Sequence, residues 1–243
     1  MKKLYAAGLA LAFGSAHAAT QTVDCGRLLD VKSGAWRDQV SIVVENGSVR
    51  SVGPMTRGEG HVDLSAYSCL PGFIDTHVHL ADQTQPRVAA LHDALSANPA
   101  DLAFRSVKFA ERTLMAGFTT VRDLGAEDTL NVSLKRAIAA GDIPGPRIFT
   151  AGTIISTLGG HADPTNDISD RLSRALGHPG PIDGVISGPD EARQAVRARY
   201  KEGADLIKVT ATGGVLSEET SGENAQFTEE ELRAIVSTAR DYG

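Results

Sequence analysis

Apolar positions along this chain change their spacing near residue 70. Between Gln21 and Ser68 they fall in short runs broken by turn residues, the pattern of strands joined tightly. The clearest case is Ser41-Ile-Val-Val-Glu45, then Asn46-Gly47, then Ser48-Val-Arg-Ser-Val52. Asn-Gly between two such runs predicts a hairpin, because both turn residues must adopt positive φ. From Pro71 onward the chain alternates instead between strand-like and helix-like stretches. Strands are expected at Phe73–Leu80, Thr119–Leu124, Arg147–Gly152 and Asp205–Thr212. Helices are expected from Pro99 to Ala116, up to Ala140, and from Pro189 to Gly203. A last helix opens at Thr228, with Glu231 three positions on as a capping box. Leu232, Ile235, Val236 and Ala239 then mark one of its faces. Four strand–helix units in series imply a parallel sheet with right-handed crossovers, either doubly wound or half of an eight-stranded barrel.

The first residues have a different character. Lys2 and Lys3 precede an apolar stretch from Leu4 to Phe13, and Ala16-His17-Ala18 places small residues where a signal peptidase reads them. The apolar run is too short to span a bilayer. A signal peptide over residues 1–18, cut after Ala18, is therefore expected, with a periplasmic or secreted product and no membrane partner. The formal net charge of -6 argues against a nucleic-acid partner, since no basic excess exists to neutralise phosphates. Cys25 and Cys69 are the two cysteines. Both flank the N-terminal β region, and a bridge and two free thiols are equally open. A cysteine-based metal site is not expected, because no Cys-x-x-Cys spacing occurs.

Candidate chemistry begins at Pro71-Gly-Phe-Ile-Asp-Thr-His-Val-His-Leu80. Alternate side chains of a strand share a face, so Asp75, His77 and His79 point one way. Ile74, Thr76 and Val78 point the other way, toward a covering helix. Two imidazoles at i and i+2 near the C-terminal end of a strand can chelate one ion, at the end where α/β barrels keep their chemistry. Leu206, Lys208 and Thr210 share a second strand face, opposite the apolar Ile207, Val209 and Ala211. A lysine turned toward a barrel interior requires a partner or a task. Pairing with a carboxylate such as Asp123 is one account of it.

PGFIDTHVHL resembles the first barrel strand of the amidohydrolase superfamily. Gly117-Phe-Thr-Thr-Val-Arg-Asp-Leu-Gly125 and Asp205-Leu-Ile-Lys-Val-Thr-Ala-Thr-Gly-Gly214 extend the likeness. Together they look like the branch with Xaa-Pro, Xaa-Arg and Xaa-Lys dipeptidases and ochratoxin-type amidases. The resemblance implies an α/β fold: the first half of a (β/α)8 barrel (residues 71–243) preceded by part of a small β-sandwich domain (residues 19–70). It implies two divalent metal ions, zinc by preference, with His77, His79 and Lys208 as ligands. Lys208 would be carboxylated by carbon dioxide, as in similar members, because a buried amine loses its proton and becomes a nucleophile. Asp75, one pleat below the histidines, is expected to accept an imidazole N–H, and Asp123 to orient its neighbours rather than bind metal. His161, in Gly159-Gly-His-Ala-Asp163 after strand three, would meet the substrate. His61, His92 and His178 have no such context and are expected at the surface.

The function implied by the resemblance is hydrolysis of an amide or peptide-like C–N bond by a metal-bridging hydroxide. Dipeptides or N-acyl amino acids with a free carboxylate are the expected small-molecule substrates, and a homo-oligomer is possible for the full-length enzyme. A cyclic-amide hydrolase or a deaminase on the same scaffold is the alternative, as is an inactive truncated product. The resemblance also calls for two further histidines from strands five and six and an aspartate base from strand eight. No catalytic base is assigned within the chain, and residues 1–243 are expected to be an N-terminal fragment.

Overall fold

The computed structural model describes residues 20–83, 85–127, 129–166, 168–214 and 222–243. The proposed signal peptide lies outside these. The chain divides into two compact units, one ending at Pro71 and the other running from Gly72 to Gly243.

The first unit is one four-stranded sheet in the order β3-β2-β1-β4. Its strands are β1 (Thr20–Leu29), β2 (Trp36–Glu45), β3 (Ser48–Pro54) and β4 (Val62–Cys69). β2 and β3 form the expected hairpin, with Glu45 opposite Ser48 and positive φ at Asn46 and Gly47. β4 runs parallel to β1, and a disulfide joins Cys25 of β1 to Cys69 of β4. Between a bridge and two free thiols, the bridge is the state found. Cys25 and Val40 are buried between the strands, beside the buried polar pair Asp24 and Ser41.

The second unit alternates strands and helices. β5 (Phe73–Val78), β6 (Phe118–Asp123) and β7 (Arg147–Thr150) make a parallel sheet in that order. α1 (Arg87–Ser96) and α2 (Pro99–Met115) join β5 to β6, and α3 (Leu130–Ala140) joins β6 to β7. Leu80, Ala110, Val121, Leu134 and Ile148 form the core between sheet and helices, with Val78 packed against it. The stretch between β7 and the next long helix, expected as one loop, contains β8 (Ser156–Thr157), α4 (Asp170–Leu176) and β9 (Val185–Ile186). β8 and β9 pair in parallel. α5 (Pro189–Glu202) and α6 (Glu229–Asp241) pack on a second core of Ile155, Ile186, Val196, Phe227 and Ile235. α6 carries the expected capping box, Thr228 accepting from the Glu231 amide.

Two expectations are corrected. Residues 205–212 do not form a continuous strand but lie beside the chain after β7 with interrupted pairing. Asp205 N–H donates to Thr150 O, Ile155 N–H to Lys208 O, and Thr210 N–H to Ile155 O. Between those contacts Gly152 takes a positive φ and the ladder lapses, leaving one parallel bridge at Ile155–Val209. The outer face of β5 is also only partly covered: Val78 packs in the core, whereas Ile74 is 66% exposed. The segment 205–209 does keep its expected apolar face, with Ile207 and Val209 against the second core.

Candidate metal centre

The end of β5 is held by a carboxylate on the neighbouring strand. Asp123, at the last position of β6 and fully buried, accepts the main-chain N–H of Leu80 at 2.9 Å through one oxygen. Its other oxygen accepts the Gly125 N–H and the Asn131 side-chain amide, each at 3.1 Å. Three donors around one carboxylate offset the cost of burying it. They also bracket His79, which precedes Leu80 and whose Nδ1 lies 2.9 Å from the Gly125 carbonyl. A carbonyl only accepts, so this contact places the proton on Nδ1 and leaves the Nε2 lone pair for a ligand bond. Asp123 thus orients the histidine through the backbone on both sides of it.

His77 and His79 lie together, ring centroids 5.5 Å apart. Asp75 accepts the main-chain N–H of His77 at 3.0 Å, so its contact is with the strand backbone rather than with an imidazole. Loss of water around its ring is the largest cause holding His77 below the ordinary histidine range. The charge of Lys208 comes next, then His79 and Arg122. A lowered pKa favours the neutral imidazole, the state a metal requires. Lys208 is therefore brought into the electrostatic neighbourhood of His77 from about 130 residues away in sequence, on a half-buried side chain that makes no ion pair with any described carboxylate. A pairing of Lys208 with Asp123 does not occur, because backbone and amide donors occupy that carboxylate.

Arg122 was not singled out by sequence reasoning. Its Nε donates to Thr76 O at 2.7 Å, which ties β6 to β5 beside the histidines and adds a second cation. Its one signal in sequence is its place just before Asp123 at the strand end.

His161 sits in a loop built around Asp163, which is buried and accepts from the Gly159 N–H, the Thr165 N–H and the Thr165 hydroxyl. The His161 N–H donates to the Gln226 side-chain oxygen at 2.9 Å. His92 and His178 are exposed. His61 departs from the surface expectation: its Nδ1 lies 2.9 Å from buried Asp24, and its side chain is 22% exposed.

Among the described residues no three His, Cys, Asp or Glu side chains converge on a metal position. What converges is a pair of imidazoles, one with its Nε2 freed by the Gly125 bond and one favoured in its neutral form, beside a lysine. This nitrogen-rich set fits the first ligands of a divalent ion, with Lys208 suited to add an oxygen donor once carboxylated.

A profile of the Amidohydrolase family matches residues 69–243. Ochratoxinase from Aspergillus niger is 31% identical over 70% of this chain and 36% of its own length. A solved Xaa-Pro dipeptidase with methionine bound in its active site is 40% identical, with a TM-score of 0.85 over 93% of this chain and 55% of that one. The crystal structure of A. niger ochratoxinase is 26% identical, with a TM-score of 0.75 over 93% of this chain and 54% of that one. The chain thus spans about a third of the curated relative's length and about half of each solved chain.

Proposed function

Because the chain belongs to the amidohydrolase family, we propose that it supplies the first metal ligands of an enzyme that hydrolyses amide or peptide-like C–N bonds. The observation that carries this reading is the pair His77 and His79, with the Nδ1 of His79 on the Gly125 carbonyl and Lys208 acting on His77. When bound, two divalent ions, zinc by preference, supply Lewis acidity and a water ionised near neutral pH. His77 and His79 would hold a metal ion through neutral imidazoles, and Lys208, as its carbamate, would add oxygen ligands. Asp123 and Asp75 fix the backbone that carries the histidines. Arg122 adds positive charge beside them, which favours forming an anionic carbamate. His161 contacts the free carboxylate of a dipeptide or N-acyl amino acid.

Likeness to an Xaa-Pro dipeptidase and to ochratoxinase supports that substrate class. The Cys25–Cys69 bridge supports an oxidising compartment, which agrees with export under the N-terminal signal. The test is metal content and turnover of the full-length enzyme against dipeptides and N-acyl amino acids. His77→Ala and His79→Ala should each lose bound metal and most activity, and Lys208→Ala should lose the metal that needs a bridging oxygen. Unchanged stoichiometry in all three variants would overturn the assignment.

A further inference from the structure

The loop that carries His161 and the chain that follows Lys208 are joined at several points. Ser156 Oγ accepts the Ala162 N–H at 3.2 Å and the Thr210 hydroxyl at 3.1 Å. Thr210 lies two residues after Lys208. Asn166 Nδ2 donates to Gly160 O at 2.7 Å and closes the loop from its far end. Beyond Thr210 the chain pairs with residues 225–226, by a bridge between Thr212 and Ala225 and a bond from Gln226 N–H to Ala211 O at 2.8 Å. Gln226 then reaches across with its side chain to accept the His161 N–H.

The imidazole is located from its other end by an absence. A Cβ on Gly214 would lie 2.8 Å from both Cε1 and Nε2 of His161 and 3.3 Å from Cδ2. Side-chain carbons do not approach other atoms below 3.0 Å, so the ring occupies space that any other residue at 214 would need. φ at this glycine is not in the left-handed region, so backbone conformation makes no demand of its own there. The cost of a larger residue falls on the ring, which can swing away about its side-chain torsions.

We infer that Gly214 and Gln226 are positioning residues for His161, Gln226 fixing its backbone and Gly214 the plane and reach of its ring. They thereby set the selectivity of the site for substrates with a free carboxylate. This rests on the reading of His161 as a substrate contact. It adds that the contact is gauged by Gly214, which follows Lys208 by six residues, and by Gln226, whose backbone pairs with Ala211. A ring displaced by a methyl group misses the carboxylate without disturbing His77, His79 or Lys208.

The experiment compares crystal structures and steady-state kinetics of the full-length enzyme and its Gly214→Ala variant. Substrates are a dipeptide and the same dipeptide with its C-terminus amidated. The ring should move by a rotamer change or by about 1 Å. KM for the free-carboxylate substrate should rise about tenfold with kcat within roughly twofold, as expected when uniform binding is lost. KM for the amidated substrate should stay as it was. Gln226→Ala should act in the same direction and Gln226→Glu, which keeps an acceptor oxygen, should restore it. An unmoved ring in Gly214→Ala, or Gln226→Ala indistinguishable from Gln226→Glu, overturns the positioning role. A displaced ring with unchanged KM keeps the positioning role and refutes His161 as the carboxylate contact.

Discussion

Each unit of the chain buries an aspartate on a sheet strand, Asp24 on β1 and Asp123 on β6, and the two are used differently. Asp24, 2% exposed, bonds side chains: the Ser41 hydroxyl and His61 Nδ1, with the Thr56 N–H donating to Ser41 Oγ at 2.9 Å. Asp123, with no exposed surface, bonds the N–H groups of Leu80 and Gly125 and the Asn131 amide. Both carboxylates meet the cost of leaving water with hydrogen bonds. A carboxylate held by hydroxyl and imidazole links side chains from several parts of a sheet. A carboxylate held mainly by backbone amides fixes the path of the chain. The first arrangement suits a latch in a sheet, and the second suits the end of a strand that must present a histidine.

The largest effect should come from removing a constraint that only the Asp24 unit has. Cys25→Ser with Cys69→Ser opens a loop closed over a separation of 44 residues, worth about 4 kcal/mol in the chain-entropy account. Trp36 is the sole tryptophan and lies in β2, so its fluorescence follows that unit alone. Its urea midpoint should fall markedly in the double variant. An unchanged midpoint would mean that the sheet and the Asp24 cluster hold the unit without the bridge.

The next effect tests the other aspartate. Asp123→Ala leaves three donors without their acceptor in a buried site, for a loss of about 3 kcal/mol or more. It also frees the backbone on either side of His79, so zinc affinity of the full-length enzyme should drop by roughly 10- to 100-fold. Asp123→Asn keeps one acceptor oxygen and should fall between. If stability drops while zinc affinity holds, Asp123 supports the fold but does not orient the histidine.

Parity along the strand pointed to His77 and His79 as neighbours, which their rings are, and caps and turn residues located the hairpin and α6, because those signals are local. The contacts that give each aspartate its role were not local. His61 meets Asp24 across 37 positions, so nothing beside it in sequence marked it as anything but a surface histidine. Asp123 could be read as an orienting group, yet its partners Leu80 and Asn131 come from the end of β5 and from α3. The interrupted pairing of residues 205–212 was hidden for a related reason. A strand pattern states which face is apolar, and the ladder depends on the neighbour, whose backbone takes a positive φ at Gly152. Ile74 shows the limit from the outside: alternation gave its direction but not whether anything covers it.

The smallest effect separates the two partners of Asp24 by pH. Its carboxyl is held below the ordinary carboxylate value of 3.8, first by the Ser41 hydroxyl, then by the hydrogen bond and charge of His61. Burial and the nearby Asp63 oppose this. A carboxylate whose pKa is lower folded than unfolded adds stability above its unfolded value, and that contribution is lost as pH falls through the folded one. The Trp36 signal of the wild type should therefore persist to lower pH than it would with an ordinary carboxyl at Asp24. Ser41→Ala removes the largest lowering contact and should move the transition to higher pH. His61→Leu removes the hydrogen bond and charge of the imidazole and should move it in the same direction. Acid titrations followed at Trp36 decide the ranking: a larger shift for His61→Leu would make the imidazole, not the hydroxyl, the main partner of Asp24. No shift in either variant would mean that another group sets the acid limit of the sheet.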